Sequence, residues 1–180
     1  MAALGGELVE LVTSNPSTQF CLAAAGAAGY AVVADAIRGR PSPLRIDEFV
    51  PQMVPESAAV RDADLILPLA TLGRDCAALS TAAFGRSGAV WDREVIDPLG
   101  LRLVMALVVQ ERWDDLESPL ERLDRAAGNG SALAKAVATA ARGEMAGGPA
   151  RERSHQALRA LGYIGLSETL AFRSSVSKPS

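Results

Sequence analysis

The stretch LRLVMALVV (101–109) decides the fold class of this chain, because such a dense apolar run is consistent with a buried helix or a buried strand. Its periodicity does not separate the two. Asp97-Pro98 precedes the stretch as a helix start signal, and the charge-rich segment 110–115 follows it. We therefore predict a helix over residues 98–113, with a buried strand as the alternative.

Start signals of the same kind recur along the chain. An Asn, Asp or Ser side chain before a proline caps a helix, and proline at the first helical position loses no hydrogen bond. These pairs are Asn15-Pro16, Asp97-Pro98 and Ser118-Pro119. Glu121 extends the third pair to a capping box. Glycines after predicted helices mark their ends at Gly39, Gly128, Gly143 and Gly162.

The composition favours the same fold class. Alanine supplies 33 of the 180 residues, whereas Phe, Tyr and Trp together supply eight. Because alanine is the best helix former and is small, the composition indicates closely packed helices. We predict an all-α fold, a single compact bundle of about six to eight helices over residues 1–173, followed by a disordered tail at 174–180. The predicted helices are 5–13, 16–38, 56–73, 75–84, 98–113, 119–127, 131–142 and 149–161, with a last turn or two in 167–173.

Two further features concern these helices and their packing. Asp64–Leu69 is a second possible strand, although Pro68 argues against it. The predicted core consists of large apolar residues of the helices. It comprises Phe20, Leu22, Val32, Val33, Ile37, Leu103, Val104, Leu107, Val108, Leu133, Val137, Leu158 and Leu161.

The segment FCLAAAGAAGYAVVADA (20–36) is predicted to lie within a buried helix. Its apolar run of about fifteen residues is shorter than the roughly twenty needed to span a bilayer. GAAGYA (26–31) lacks the preceding strand and the third glycine of a dinucleotide-binding turn. Its small residues form a face that another helix, from this chain or a second copy, can approach closely. The predicted interaction residues of this segment are Ala23, Gly26, Ala27 and Tyr30.

Residues 39–56 form a proline-rich strap with four prolines, so a regular helix is excluded there. The strap is also longer than most connections in compact domains. We predict that its apolar side chains dock across the bundle, and the alternative is a lid or a partner-docking loop. Phe49 and Met53 are its candidate interaction residues.

Charge and cysteine content bound the functional classes. The net charge of -3 and the pI near 5.2 give no electrostatic reason to bind a phosphate backbone. Cys21 and Cys76 are too few for a disulfide framework and are predicted to be buried, reduced thiols, with a single disulfide between them as the alternative. Glu7 and Glu10 lie where a signal peptide would carry basic residues. We expect a cytoplasmic protein that binds neither nucleic acid nor membrane.

The weak catalytic candidates are Cys76, Glu152 and His155. Glu152 and His155 have the E-x-x-H spacing of helical di-metal sites, but such sites need two motifs and His155 is the one histidine. Cys76, at the start of a predicted helix, could pair with His155 as nucleophile and base. The alternatives are a buried thiol and a surface or capping histidine. No metal and no cofactor are predicted.

The C-terminal stretch ALRALGYIGLSETLAF (157–172) is similar to one unit of HEAT-type helical repeats. The similarity covers about sixteen residues, lacks the Asp-Pro that usually follows the Ile-Gly pair, and has no second copy upstream. It therefore assigns no family.

These observations favour a non-enzymatic interaction or regulatory module, which self-associates as a homodimer or binds a protein partner. The reason is that the sequence contains no complete catalytic or metal-binding motif. With one histidine, it also offers few side chains suited to general acid–base catalysis. The alternative is a small helical enzyme or small-molecule-binding protein with a pocket under the strap.

Overall fold

The computed structural model of this chain describes residues 29–41, 65–74 and 98–172. The chain divides into two compact units, residues 1–86 and residues 87–180. The described residues contain seven α-helices, one short 3₁₀ helix and no strand. The prediction of an all-α fold with six to eight helices is therefore confirmed, whereas the single domain predicted for residues 1–173 stays a prediction.

Several predicted features lie outside the described residues. They are the helices at 5–13 and 75–84, the first part of the helix at 16–38, the strap beyond Pro41, the tail at 174–180, and the core residues Phe20 and Leu22.

The first unit contributes helices α1 (residues 29–37) and α2 (residues 65–71). Val32 of α1 forms a buried apolar cluster with Leu65 and Leu69 of α2. Because residues 65–69 are helical, the alternative of a strand at this position is wrong.

The second unit contains five α-helices and a short 3₁₀ helix. They are α3 (Pro98–Val109), the 3₁₀ helix (Trp113–Asp115), α4 (Glu117–Gly128), α5 (Ala132–Ala146), α6 (Gly148–Ala160) and α7 (Ile164–Ala171). Helix α5 contacts each of the other four α-helices, so it is the centre of this unit. Its alanines present small side chains, which allow neighbouring helices to pack against it on several sides.

Residues 101–109 belong to α3, so the prediction of a helix is confirmed and the alternative of a strand is wrong, although α3 ends at Val109 rather than at the predicted residue 113. Every one of these residues except Arg102 is buried. A helix that is apolar on nearly all sides belongs in the interior of a protein. The dense apolar stretch that is ambiguous in the sequence therefore forms a fully surrounded core helix.

Most of the predicted core is confirmed. The buried members are Val32, Val33, Leu103, Val104, Leu107, Val108, Val137 and Leu158. Ile37 and Leu133 are half-buried. The prediction is wrong for Leu161, whose relative exposure is 61%.

Most of the described helices end in one backbone geometry, in which two successive N–H groups donate to carbonyls of the last turn. The residue in the left-handed region is a glycine at four of these ends, Gly39, Gly73, Gly130 and Gly162. After helix α3, the residue in the left-handed region is instead Glu111, with φ 54°. The ends predicted at Gly39 and Gly162 are confirmed, whereas α5 continues past Gly143 to Ala146.

The start of α4 differs from the prediction. The helix begins at Glu117 after Leu116, which makes no side-chain capping bond, so Ser118 lies inside the first turn. The predicted capping box of Ser118 and Glu121 is therefore wrong. The start of α5 is as predicted, because the Ser131 hydroxyl accepts a hydrogen bond from the Ala134 N–H at 3.2 Å.

Helices α4 and α5 are joined by a surface ion pair. The Arg142 guanidinium donates to both carboxylate oxygens of Asp124, at 3.1 and 2.5 Å, and both side chains are about half exposed. This hydrogen bond holds the pKa of Asp124 below its ordinary value and raises that of Arg142. Among the helices that the structure describes, none combines the length and apolar composition needed to cross a membrane.

We expect Asp124→Asn to lower the free energy of unfolding by at most about 1 kcal/mol at neutral pH, because the pair is exposed to solvent. The pKa of Asp124 is lowered in the folded state. The ion pair therefore contributes its full stabilisation above the ordinary aspartate pKa of about 3.9. This stabilisation is lost as the pH falls through the lowered pKa of the folded state. Urea unfolding of the wild type and of Asp124→Asn measures the difference in stability at neutral pH and at acidic pH. A difference between wild type and variant that persists in acid would contradict this assignment.

Candidate functional site

A buried polar cluster joins the last three helices. It consists of Glu144 on α5, His155 on α6 and Ser167 on α7. The imidazole Nδ1 lies 2.9 Å from the Ser167 Oγ, and its Nε2 is hydrogen-bonded to the Glu144 carboxylate. The Glu144 side chain has no exposure, and His155 and Ser167 are also buried. We call these three residues the buried triad.

Each member of the buried triad lies on the apolar face of its helix. Glu144 follows Val137 by seven residues, and His155 and Ser167 each precede a buried leucine, Leu158 or Leu170, by three. Positions three and seven apart share one side of a helix. The three helices contact one another pairwise, so these faces bring the polar side chains together in the interior.

The charge of Glu144 is compensated within the cluster. The Arg151 Nε donates to the same carboxylate oxygen that binds His155, at 3.1 Å, while the rest of the guanidinium reaches partly into solvent. A buried carboxylate is costly unless it is paired and hydrogen-bonded. Arg151 and His155 together meet this requirement.

The hydrogen-bond directions follow from the chemistry of the groups. Glu144 as a carboxylate accepts, so the imidazole Nε2–H donates to it. In the neutral ring, Nδ1 then accepts from the hydroxyl of Ser167. All three polar groups are satisfied in this arrangement.

The buried triad contains the group types of a carboxylate–imidazole–hydroxyl catalytic relay. The nucleophile of such a relay must reach a substrate, yet Ser167 has a relative exposure of 0%. In this conformation the Ser167 hydroxyl is bonded to the imidazole and buried in the protein interior, so a substrate cannot reach it. The arrangement supports one role directly, which is to hold α5, α6 and α7 together in one register.

A second contact sets the distance between α5 and α6. A methyl carbon added at Gly143 would overlap the Ser154 Oγ and would lie 2.8 Å from the Ser154 Cβ and 3.1 Å from the Ala150 carbonyl oxygen. The Ser154 hydroxyl in turn donates to the Arg151 carbonyl at 2.8 Å. Gly143 is therefore a packing glycine that allows close approach of the helix carrying His155.

The sequence-predicted catalytic residues are not brought together in the described part of the chain. Glu152 is exposed on α6, whereas His155 on the same helix is buried and bonded to Glu144. The interpretation of His155 as a surface or capping histidine is therefore wrong. Cys76 lies outside the described residues, and the catalytic assignments stay predictions. Among the residues described, no group of three or more His, Cys, Asp or Glu side chains could hold a metal ion.

Of the predicted interaction residues, Tyr30 on α1 is described, and its relative exposure is 62%. The others lie outside the described residues, namely Ala23, Gly26, Ala27, Phe49 and Met53.

The surface of the second unit carries an apolar segment whose exposure was not predicted from the sequence. Residues 161–166, LGYIGL, connect α6 to α7 and start α7, contain no charge, and include no buried residue. Leu161 and Ile164 have relative exposures of 61% and 56%. Gly162, with φ 83°, turns the chain there, since its N–H and that of Tyr163 donate back into α6. We call residues 161–166 the apolar corner.

Comparisons with known proteins assign no relationship. No family model, no curated protein and no solved structure matches this chain.

Proposed function

We propose that this chain is a non-enzymatic helical interaction module that associates with itself. The observation that carries the proposal is the apolar corner. Scattered apolar side chains are ordinary on protein surfaces, but contiguous exposed apolar segments mark contact sites. The six consecutive residues of the corner have no charge and, apart from the Tyr163 hydroxyl, no polar side chain; four of them are exposed, and Tyr163 and Leu166 are half-buried.

The buried triad supports the same proposal. Its polar groups are directed at one another rather than at solvent, and Ser167 is fully buried. These groups bond together the two helices that flank the apolar corner in the chain, because His155 precedes it and Ser167 follows it. A surface that is ordered before it binds loses less conformational entropy on contact with a partner.

Sedimentation velocity over a wide concentration series tests the proposal. We expect the wild type to shift from monomer to dimer as concentration rises, and we expect Ile164→Asp to weaken the dimer by placing a charge in the apolar contact. Met145→Asp is the matched control, because Met145 is also an exposed apolar residue, with relative exposure of 48%, but lies at the end of α5 outside the corner. It should leave association unchanged.

The outcomes separate cleanly. A wild type that stays monomeric at every concentration would contradict self-association. If the wild type dimerises and Ile164→Asp leaves the dimer intact, self-association stands, but it uses a surface other than the apolar corner.

A further inference from the structure

The apolar corner is bounded by opposite charges. Arg159, two residues before it on α6, and Glu168, two residues after it on α7, are the first charged residues in each direction along the chain. Both are exposed. Glu168 follows Ile164 by one helical turn, so the anion and the exposed apolar side chain share one stripe of α7.

The corner is also held in one shape. The Gly162 N–H donates to the Arg159 carbonyl and the Tyr163 N–H to the Leu158 carbonyl, each at 2.9 Å. The bond between His155 and Ser167 ties the two flanking helices together in the interior. A preorganised surface loses little conformational entropy on binding.

The corner leaves space for a second backbone. A methyl carbon added at Gly162 or Gly165 would meet nothing within 4 Å, so among the described residues only their chain neighbours lie close to these glycines. Another chain can therefore approach the corner closely, with Leu161 and Ile164 projecting beside the glycines.

We infer that the apolar corner is an isologous contact between two copies of this chain, in which Arg159 of each copy faces Glu168 of the other. The inference rests on the proposed function and names its surface and partner. A two-fold axis places the same segment of both copies together, so a segment that a cation precedes and an anion follows in the chain can complement itself. The apolar residues then meet at the centre, between two crosswise ion pairs.

The size of the corner sets the strength of the contact. Stable interfaces use roughly 20–30 residues a side, several times more than the corner and its two flanking charges supply. The dimer is therefore weak and depends on protein concentration. Exposed ion pairs are screened by salt, so the association also weakens as salt concentration rises.

Charge reversal tests the arrangement. In a dimer of Arg159→Glu, two carboxylates face each other at both ends, and in a dimer of Glu168→Arg, two guanidinium groups do. We expect each variant alone to dimerise about tenfold more weakly than the wild type in low salt. Mixing the two variants restores association, because every cross-contact in the mixed dimer is again between opposite charges.

Two controls complete the sedimentation experiment. The double variant Arg159→Glu with Glu168→Arg should dimerise like the wild type, and Arg153→Glu, which alters an exposed charge nearer the start of α6, should have no effect. Circular dichroism verifies that each variant keeps its helices.

The possible failures differ. If the wild type dimerises but neither reversal weakens it, or the mixture does not recover, the inferred contact is wrong while self-association stands. If the wild type never dimerises, the proposed self-association is wrong and the contact with it.

Discussion

Replacement of Gly143 by alanine is expected to lower the free energy of unfolding by about 1–3 kcal/mol, the usual cost of forcing an extra carbon into a packed interior. The added methyl would overlap the Ser154 hydroxyl and crowd the Ala150 carbonyl, which belongs to the backbone of α6. Helix α6 must therefore move away from α5. Urea unfolding followed by circular dichroism measures the loss.

The same substitution at Gly128 is the matched control. Gly128 is also helical, but a methyl carbon there would meet nothing within 4 Å. Since alanine is the better helix former, Gly128→Ala should stabilise the protein by a few tenths of a kcal/mol to about 1 kcal/mol. Adding Ser154→Gly to Gly143→Ala removes the two closest contacts and should recover part of the loss. Equal effects at Gly143 and Gly128 would show that packing at Gly143 is not close.

His155→Leu is expected to lower the free energy of unfolding by about 3–5 kcal/mol, because it removes one partner of a buried charged group. The Glu144 carboxylate loses its hydrogen bond from the imidazole, and the Ser167 hydroxyl loses its acceptor. Arg151, which is partly exposed, remains as the counter-charge. Chemical unfolding at neutral pH gives the change directly.

A double-mutant cycle distinguishes loss of the polar pair from loss of volume. The variant carrying both His155→Leu and Glu144→Leu contains no buried carboxylate, so its destabilisation should be smaller than the sum of the two single changes. Glu152→Gln, on the same helix but exposed, should change stability by no more than about 0.5 kcal/mol. Additive single effects would mean that Glu144 and His155 act independently.

The fold class was predictable because the local signals agree with one another. Alanine content, the proline at the start of α3 and the glycines that end α1 and α6 all favour helices, and each local signal describes the backbone over a few residues. Even the ambiguous stretch 101–109 was predicted correctly from its flanking residues. Local sequence signals are sufficient to predict secondary structure where residues within one helical turn determine the backbone conformation.

The buried triad was not predicted, because its members are drawn from three helices. His155 was compared with Glu152 on its own helix, whereas its partner Glu144 belongs to the preceding one. One signal was present, since Glu144 lies seven residues after Val137 on a stripe of small apolar residues. A carboxylate on such a stripe indicates a buried acid that needs a partner.

Gly143 and Leu161 were misassigned for related reasons. A glycine after an arginine is typical of a helix end, but at Gly143 the missing side chain makes room for Ser154 while the helix continues. Leu161 continues the apolar spacing of α6, yet the chain turns at Gly162 and leaves that leucine outside the core. Both outcomes depend on where a neighbouring helix lies, and the sequence of a single segment does not give that position.

Helix α7 is eight residues long, too short to persist alone in water. It nevertheless contacts α3, α5 and α6, and its Ser167 and Leu170 are fully buried. A frameshift or stop codon falling within residues 164–167 would thus do more than shorten the gene product. The truncation would expose α3, the most apolar helix of the unit, to solvent. It would also leave the imidazole of His155 without the hydroxyl of Ser167. The truncated polypeptide would therefore become a substrate for cellular quality control.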